Sequence, residues 1–409
     1  MRQHRLAWHL LVLVPLALVA FGLVMVYDAT SAPAALRNGD PMTYLEKQAA
    51  YAVLGLILLV VFSRFDYRRL RLLARPLVLL SLFLCLVVLV VAPPINGARR
   101  WIVVGPASFQ PSELAKLALL IWAAGYLSKR PAPRTIQELA RPIGALVGLY
   151  CVLILAEPDL GTAISIGVML AAILLVSGTP PRPLVLAGGA ASLVALAAVW
   201  FEPYRRARIF SFLDPWKDPQ GAGFQIVQAL IALASGGIFG TGLGNGVIKY
   251  NYLPEAHTDM ILAVIGEELG LVGITLVVGA YVALAYAGLR VALACRDPFG
   301  KRLAAGIVAL LCGQALINLA AVLGLAPLTG IPLPFISYGG SSLVVALVCV
   351  GILLNIAGAH AAVAEVPDRS RRNVRPRGAV ARRGGGAAAP RRAGDVRGLA
   401  RPRRGAARP

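Results

Sequence analysis

Asp259 is the residue whose type and position most favour chemistry in this chain. It closes a polar stretch, residues 252–259 (YLPEAHTD), and an apolar run begins directly after it. Ionisable groups where a polar loop enters a membrane helix are costly and usually functional. The carboxylate could serve as a general base or as a ligand for a cation. Alternatively, Thr258 or Asp259 could simply cap the first amides of the following helix.

The two chemical roles of Asp259 place opposite demands on its pKa. A helix N-terminus stabilises the ionised carboxylate and lowers its pKa, which suits a cation ligand and weakens a base. A role as base therefore requires burial that offsets the helix dipole.

Other acidic residues lie near the ends of apolar runs. Glu113 and Lys116 have the spacing of an ion pair within one helix. Glu157 and Asp159 flank Pro158 and could line a cavity, or Asp159 could cap a helix that begins near Gly161-Thr162. Glu267 and Glu268 fall about 80° and 180° around a helix from Asp259, so they cannot both face the same cavity wall, and we expect at least one to pair with another helix.

Basic residues also occur in loops predicted to lie on the outer side of the membrane, where the positive-inside rule does not place them. Two explanations stay open, namely binding of an anion, with phosphate the first candidate, and contact with lipid headgroups. The residues are Arg99, Arg100, Arg205, Arg206, Arg208 and Lys249.

The glycine-rich run 236–246 does not predict a nucleotide site. It has no Gly-Lys-Ser/Thr sequence and no strand before it, so we interpret it as a re-entrant or interfacial loop. Ahead of it, residues 224–234 predict a short amphipathic helix lying in the membrane interface.

The composition indicates the framework that must position these residues. The chain is 58 % hydrophobic with a mean hydropathy of +0.74, and several continuous apolar runs approach the roughly 20 residues that cross a bilayer. We predict an all-α polytopic membrane protein in which a large extracytoplasmic loop, about 202–259, separates helices seven and eight. The ten predicted spans are 8–27, 49–63, 76–93, 112–127, 143–156, 162–177, 183–201, 260–288, 303–325 and 341–362.

Basic loops set the predicted orientation. Arg and Lys residues cluster in the segments 64–75, 129–141 and 290–302, and short basic loops stay in the cytoplasm. Both termini are then cytoplasmic as well, and the polar loops around Asp259 lie on the outer side.

The C-terminal segment 363–409 is predicted to be a disordered cytoplasmic tail. From residue 361 onward it holds 14 Arg against three acids and almost no large apolar residue. Beside a membrane helix, such a tail favours contact with anionic lipid over nucleic acid. The five cysteines and four histidines have no metal-ligand spacing, so the sequence indicates no zinc or iron site.

Six motifs, in order, resemble the SEDS family of shape, elongation, division and sporulation proteins. They are NGARRWI (96–102), QPSELAKL (110–117), EPDLGTA (157–163), GFQIVQALIALASGGIFGTGLGNG (223–246), LPEAHTDMILAVIGEELGLVG (253–273) and LPFISYGGSS (333–342). The chain looks most like the division branch of the family. It departs from the family at Met260, where Phe is common, and we expect little effect.

The resemblance implies a peptidoglycan glycosyltransferase that polymerises lipid II during septal cell-wall synthesis and releases lipid pyrophosphate. It implies Asp259 as the essential carboxylate and Trp101 as the family's loop Trp. No cofactor is required, although a divalent cation, Mg²⁺ or Mn²⁺, could bind at Asp259. The expected partners are a class B penicillin-binding protein and other division membrane proteins, at the septum of the plasma membrane.

Polar and aromatic residues of the outer loops and helix ends are the candidates for binding substrate. They are Trp101, Arg99, Arg100, Glu113, Lys116, Glu157, Asp159, Arg205, Lys249, His257, Ser337 and Tyr338. Two other functions stay open from the sequence, a flippase for lipid II and a non-catalytic scaffold that recruits the transpeptidase. Crowding of polar residues on one face, rather than at the midplane, disfavours a transporter.

Overall fold

The computed structural model describes residues 2–36, 40, 42–94, 98–105, 107–200, 203–250 and 253–365, and these are mostly helical. The helices are α1 (Arg2–Leu36), α2 (Met42–Arg64), α3 (Leu70–Val91), α4 (Pro111–Ser128), α5 (Ile136–Leu139), α6 (Ala145–Ala156), α7 (Leu160–Ser177), α8 (Pro181–Trp200), α9 (Pro203–Leu213), α10 (Phe224–Gly236), α11 (Ile261–Ala294), α12 (Pro298–Val322) and α13 (Gly340–Glu365). The predicted tail 363–409 falls almost entirely outside the described residues.

Eight stretches of helix among the described residues are long and apolar enough to cross a membrane, which confirms a polytopic helical membrane protein. The two other predicted spans, 112–127 and 183–201, coincide with α4 and α8. Helix α4 carries Glu113 and Lys116, which lower its hydropathy, and the apolar part of α8 is shorter, Pro181–Ala197. The eight stretches are Arg5–Ser31, Met42–Arg64, Tyr67–Val91, Ile136–Ala156, Leu160–Ser177, Ile261–Ala294, Pro298–Val322 and Gly340–Ala359.

The core of the bundle is formed by α4, α11, α12 and α13, whose side chains are largely buried. Helices α3 and α8 instead carry many exposed leucine and valine side chains, as expected of helices that face lipid. The polar residues at the ends of these central helices therefore lie next to the loops.

A small antiparallel hairpin, which the sequence did not predict, precedes α4. Strand β1 (Ile102–Val104) pairs with β2 (Ala107–Phe109), with Ile102 opposite Phe109. The carbonyl of Ser108 accepts hydrogen bonds from the hydroxyls of Tyr51 and Ser341, at 3.0 and 3.3 Å. The hairpin is thereby attached to α2 and to the start of α13.

Helix α11 is broken at Gly270, where φ is +63°, and the glycine-rich run fills the break. Thr241 and Gly242 donate their amides to the carbonyls of Glu267 and Glu268, each at 3.0 Å. In return, the amides of Leu271 and Val272 donate to the carbonyls of Gly237 and Ile238. Backbone groups that the break would leave unpaired are thus satisfied by the loop, as a membrane-embedded helix requires.

Candidate functional site

Asp259 lies in the loop directly before α11, and its side chain does not cap that helix. The helix begins at Ile261, Met260 occupies the N-cap position, and no side-chain hydrogen bond is made to the first amides. The alternative in which Thr258 or Asp259 serves as the cap therefore does not hold in the structure. The Asp259 carboxylate, which is half-buried, remains available for another role.

The backbone of Asp259 is held by α12. Asn318, a buried residue, donates from the same Nδ2 atom to the carbonyl of Asp259 at 2.7 Å and to that of Ile331 at 2.8 Å. A Cβ added at Gly330 would lie 4.0 Å from the Asp259 Oδ2 atom. The loop around residues 328–331 therefore passes alongside the carboxylate and forms one wall of the site.

Burial raises the pKa of Asp259 from an ordinary 3.8 to about 6. The nearby Glu255 carboxylate raises the pKa further, whereas Arg208 and hydrogen bonds to the carboxylate act in the opposite direction. Burial is the largest of these contributions, and their net effect raises the pKa. A carboxylate with a pKa of about 6 is mostly ionised at neutral pH and is a stronger base than an ordinary aspartate.

Thr258 joins the two carboxylates of this loop. Its Oγ1 lies 3.2 Å from Asp259 Oδ1 and 3.1 Å from Glu255 Oε2, and it is also 3.0 Å from the Glu255 carbonyl. Since a hydroxyl carries one proton, it can donate fully to one of these acceptors at a time. The Thr258 hydroxyl thus links the carboxylates of Glu255 and Asp259.

Helix α9 supplies a positive charge that acts on Asp259. Arg208 makes a long hydrogen bond, 3.5 Å, to the carbonyl of Leu328, and its charge acts on the Asp259 carboxylate. Arg206 on the same helix is exposed. Arg205 is also on α9, but its side chain lies outside the described part of the structure.

His257 connects the Asp259 loop with the loop before α13. Its ring packs edge-on against Tyr44, with centroids 5.0 Å apart, and 5.5 Å from Tyr338. Its carbonyl accepts the amide of Tyr338 at 2.9 Å, and burial lowers the pKa of its imidazole. Ser337 is buried, and its hydroxyl accepts a hydrogen bond from the Leu333 amide at 2.8 Å. Among the predicted substrate-binding residues, His257, Ser337 and Tyr338 are thus grouped beside Asp259.

A second polar cluster surrounds Asp159, which caps α7 as one of the two sequence alternatives predicted. Its carboxylate accepts the amide and hydroxyl of Thr162, at 3.1 and 2.7 Å, and the side-chain amide of Gln110 at 3.1 Å. A Cβ added at Gly161 would overlap Ile331. The 328–331 loop therefore contacts this cluster and also lies next to Asp259.

Arg100 binds the turn that carries Glu157. Its guanidinium donates to the carbonyl of Glu157 at 2.9 Å and to that of Pro158. Arg99 donates to the carbonyl of Leu89 and is exposed, and Trp101 is half-buried directly before β1. Both arginines therefore already have backbone partners.

Glu157 is a completely buried carboxyl group with no nitrogen or oxygen donor on its two oxygens within the described residues, and the Cys85 thiol lies beside it. Burial, aided by the charge of Asp159, raises the pKa of Glu157 to about 8, while Arg100 acts in the opposite direction. This carboxyl is therefore mostly protonated at neutral pH, in contrast to Asp259.

Two predicted lysines are engaged in buried ion pairs. Lys116 Nζ lies 2.8 Å from Glu113 Oε1, as the i, i+3 spacing predicted. Lys249 Nζ lies 2.7 Å from Asp28 Oδ1 and 2.8 Å from Glu268 Oε1. Both ammonium groups are almost inaccessible, so these contacts support structural roles, and their contact with substrate stays a prediction.

Glu267 and Glu268 were not expected to face the same wall, yet both bind the end of the glycine-rich run, and Glu268 is also linked through Lys249 to Asp28 of α1. Glu267 accepts the amides of Val247 and Ile248, and Glu268 accepts those of Gly244 and Gly246. The helical projection did not anticipate a shared loop partner, because residues 244–248 contact α11 at both glutamates.

Asn318 is the principal site residue that sequence reasoning missed. A single amide side chain inside an apolar helix was a usable signal, because polar groups at such positions usually have specific partners. Tyr44, Gln110 and Glu255 were also missed, and no local pattern distinguishes them from ordinary loop residues. No cluster of three or more His, Cys, Asp or Glu suited to a metal occurs in the described residues.

The bundle of apolar helices with polar loops gathered around one carboxylate defines a multi-pass membrane protein. The family model described as cell cycle protein, for FtsW, RodA and SpoVE, matches residues 8–361. The chain belongs to this family, which confirms the resemblance found in its motifs.

Relatives and solved structures cover most of the chain. It is 43 % identical over 349 residues to the probable peptidoglycan glycosyltransferase FtsW of Geobacter sulfurreducens, covering 85 % of this chain and 94 % of the relative. A chain from a peptidoglycan synthase complex, solved to describe its coordination of polymerization and crosslinking, superimposes with a TM-score of 0.72 at 37 % identity, over 86 % of this chain and 97 % of that one. The rod shape determining protein RodA of Thermus thermophilus gives 0.64 at 33 % identity, over 86 % and 96 %.

Proposed function

We propose that this protein is a peptidoglycan glycosyltransferase that polymerises lipid II into glycan strands during septal cell-wall synthesis. The observation that carries the proposal is the half-buried carboxylate of Asp259, which does not cap α11 and whose pKa is raised to about 6. The FtsW relative of Geobacter sulfurreducens and the fold shared with a peptidoglycan synthase complex support it.

The proposed step is the transfer of a glycosyl group. Asp259 removes the proton from the 4-hydroxyl of the acceptor sugar as that oxygen attacks the anomeric carbon of the donor. The bond between the anomeric carbon and the pyrophosphate oxygen breaks, and lipid pyrophosphate leaves with its electron pair. Pyrophosphate needs no proton to leave, unlike the alcohol released in glycoside hydrolysis, so one carboxylate is sufficient.

Positive charge near Asp259 would stabilise the leaving pyrophosphate. The guanidinium of Arg208 on α9 acts electrostatically on the Asp259 carboxylate, and Arg205 lies on the same helix. In the alternative role of Asp259 as a cation ligand rather than a base, Mg²⁺ or Mn²⁺ would be held by the Glu255 and Asp259 carboxylates, which lie on either side of the Thr258 hydroxyl. Such an ion would supply charge neutralisation for the diphosphate.

The proposed topology has ten spans, with α4 and α8 crossing the membrane in addition to the eight apolar stretches. Asp259 and its loops then face the outside, and both termini are cytoplasmic, at the division septum. A class B penicillin-binding protein would crosslink the strands, other division proteins would join them, and the Arg-rich tail would contact anionic lipid.

The direct test is glycan synthesis by the purified full-length protein with its penicillin-binding partner, lipid II and a divalent ion. We expect Asp259→Asn to abolish polymer formation while the protein stays folded. Asp214→Asn is the matched control, since Asp214 is an exposed carboxylate of the same loop. Polymerisation by Asp259→Asn at the wild-type rate would refute the base.

The same preparation separates the other functions. A wild-type protein that makes no polymer but moves lipid II between the leaflets of a vesicle would be a flippase. A protein with neither activity, whose Asp259→Ala variant still supports division, would be a scaffold.

A further inference from the structure

A cavity of about 220 Å³ opens between the start of α3 and the end of α4. It lies at the end of α11 opposite Asp259, because Arg71 at its rim binds Asp297, three residues beyond the last residue of α11. The part of α11 beyond the break at Gly270, residues 271–294, is by itself about 36 Å long. The cavity is therefore separate from the Asp259 site, and its charged and aromatic lining residues are Arg71, Arg75, Lys129, Arg130, Trp122 and Tyr126.

The lining of this cavity carries four cations and, among the described residues, no acid. Arg71 is compensated by Asp297 at 3.1 Å and stacks over Phe299. Arg75 and Lys129 have no ion pair within the described residues, and both are exposed. Cations gathered in this way repel one another, so an anion placed among them would be stabilised by several charges at once.

One wall of the cavity is aromatic and fixes one of its cations. Trp122 and Tyr126 stack with centroids 5.2 Å apart. The Arg130 guanidinium lies 4.6 Å from the Tyr126 ring and donates to its hydroxyl at 2.6 Å. Tryptophan and tyrosine favour the level of the headgroups in a bilayer.

The helix that carries Arg75 also offers an apolar surface next to the cavity. Leu72 and Leu79 of α3 are strongly exposed and belong to one of the eight apolar stretches. The complementary ligand has an anionic head and apolar chains. An acidic protein segment would satisfy the cations but would leave this leucine surface unused.

We propose that the cavity binds the phosphate headgroup of an anionic phospholipid, with its acyl chains lying along α3. Arg75 and Lys129 supply the uncompensated charge, and Arg71 and Arg130 are held in place by their own partners.

Quenching of Trp122 by brominated lipids tests the site. The full-length protein is placed in phosphatidylcholine nanodiscs with rising fractions of brominated phosphatidylglycerol or brominated phosphatidylcholine, and the Trp122 contribution is isolated by comparison with Trp122→Phe. We expect an apparent affinity about tenfold higher for phosphatidylglycerol. One cation near a membrane surface contributes about 1 kcal/mol, roughly fivefold in affinity, so the variant Arg75→Gln/Lys129→Gln should lose most of this preference.

Two control variants separate the site from bulk charge. Arg64→Gln/Arg69→Gln removes the same charge from exposed residues outside the cavity and should keep the preference, as should the charge-conserving variant Arg75→Lys/Lys129→Arg. Equal quenching by both lipids in the wild type, or an unchanged preference in the glutamine variant, would overturn the proposal. Loss of the preference in millimolar inorganic phosphate, but not in chloride of equal ionic strength, would assign the cavity to free phosphate instead.

Discussion

The side-chain amide of Asn318 bridges two backbone carbonyls, that of Asp259 before α11 and that of Ile331 in the loop before α13. One buried residue of α12 thus fixes the carboxylate-bearing loop relative to the wall that faces it. A buried carbonyl that loses its donor costs about 1–3 kcal/mol.

Replacement of Asn318 by leucine, whose side chain has the same number of heavy atoms and the same branching at Cγ, should separate these two loops. We expect polymerisation of lipid II to slow at least about tenfold and stability to fall by about 1–3 kcal/mol, because two carbonyls lose a donor. Glycan synthesis and thermal unfolding measure the two effects. Asn355→Leu is the matched control, since Asn355 binds the carbonyl of Ser63 and the amide of Tyr67 in another part of the bundle. If both variants lose activity equally, the bridge has no specific role.

The rate of polymerisation should fall on the acid side with a midpoint near pH 6. The pKa of Asp259 is raised to about 6 by burial and by Glu255, and a protonated carboxyl cannot act as a base. Glu255→Gln removes one of the two causes and should move the midpoint to lower pH, whereas Asp214→Asn should leave it unchanged. A pH profile of the initial rate measures this, and an unshifted midpoint in Glu255→Gln would rule out the electrostatic coupling.

Two buried glutamates should respond in opposite ways to substitution by glutamine. The pKa of Glu157 rises from an ordinary 4.5 to about 8, so between these values the folded state keeps a proton that the unfolded state releases. Stability therefore decreases as the pH rises through this window. Glu157→Gln, which cannot ionise, should raise the melting temperature near pH 8 and have little effect near pH 4.

Glu113→Gln serves as the comparison for Glu157→Gln. It leaves Lys116 buried without its counter-charge, and breaking a buried pair in this way costs about 3–5 kcal/mol. We expect a lower melting temperature near pH 8, where Glu157→Gln should raise it. A stabilising effect of Glu113→Gln would mean that Lys116 finds another partner or loses its proton.

Two glycines of the glycine-rich run should differ sharply in their tolerance of alanine. Both Gly240 and Gly244 have positive φ, +80° and +85°, which costs an alanine about 1–2 kcal/mol. A Cβ at Gly240 would also overlap the carbonyl of Glu268, whereas one at Gly244 meets open space. Gly240→Ala should therefore destabilise the protein by clearly more than Gly244→Ala, as judged by folded yield and melting temperature. Equal effects would show that backbone strain alone matters.

The helical framework was predictable from the sequence because apolar runs of sufficient length have few alternatives to a membrane helix. The Glu113–Lys116 pair was predictable because it depends only on the i, i+3 spacing within one helix. Asp259 was identified because it is the last polar residue before such a run. Its pKa was not predictable, because the burial that raises it comes from distant segments.

The neighbours of Asp259 could not be predicted, because they come from separate parts of the chain. Arg208, Asn318 and Gly330 reach the carboxylate through tertiary packing. The hairpin before α4 was missed because its strands have only three residues each, too few to show a periodic pattern. The roles of Glu267 and Glu268 depend on where a loop runs, which helical periodicity does not encode.

The exchange of hydrogen bonds at Gly270 makes the spacing of the glycine-rich run unusually strict. Surface loops generally accept insertions and deletions, but this loop pairs at two places with α11, through residues 237–238 and through residues 241–242. Adding or removing one residue between these points would shift one set of pairs out of register and leave peptide groups unpaired in an apolar environment. Length variation among related proteins should therefore be confined to the segments on either side, while the number of residues from 237 to 242 stays constant.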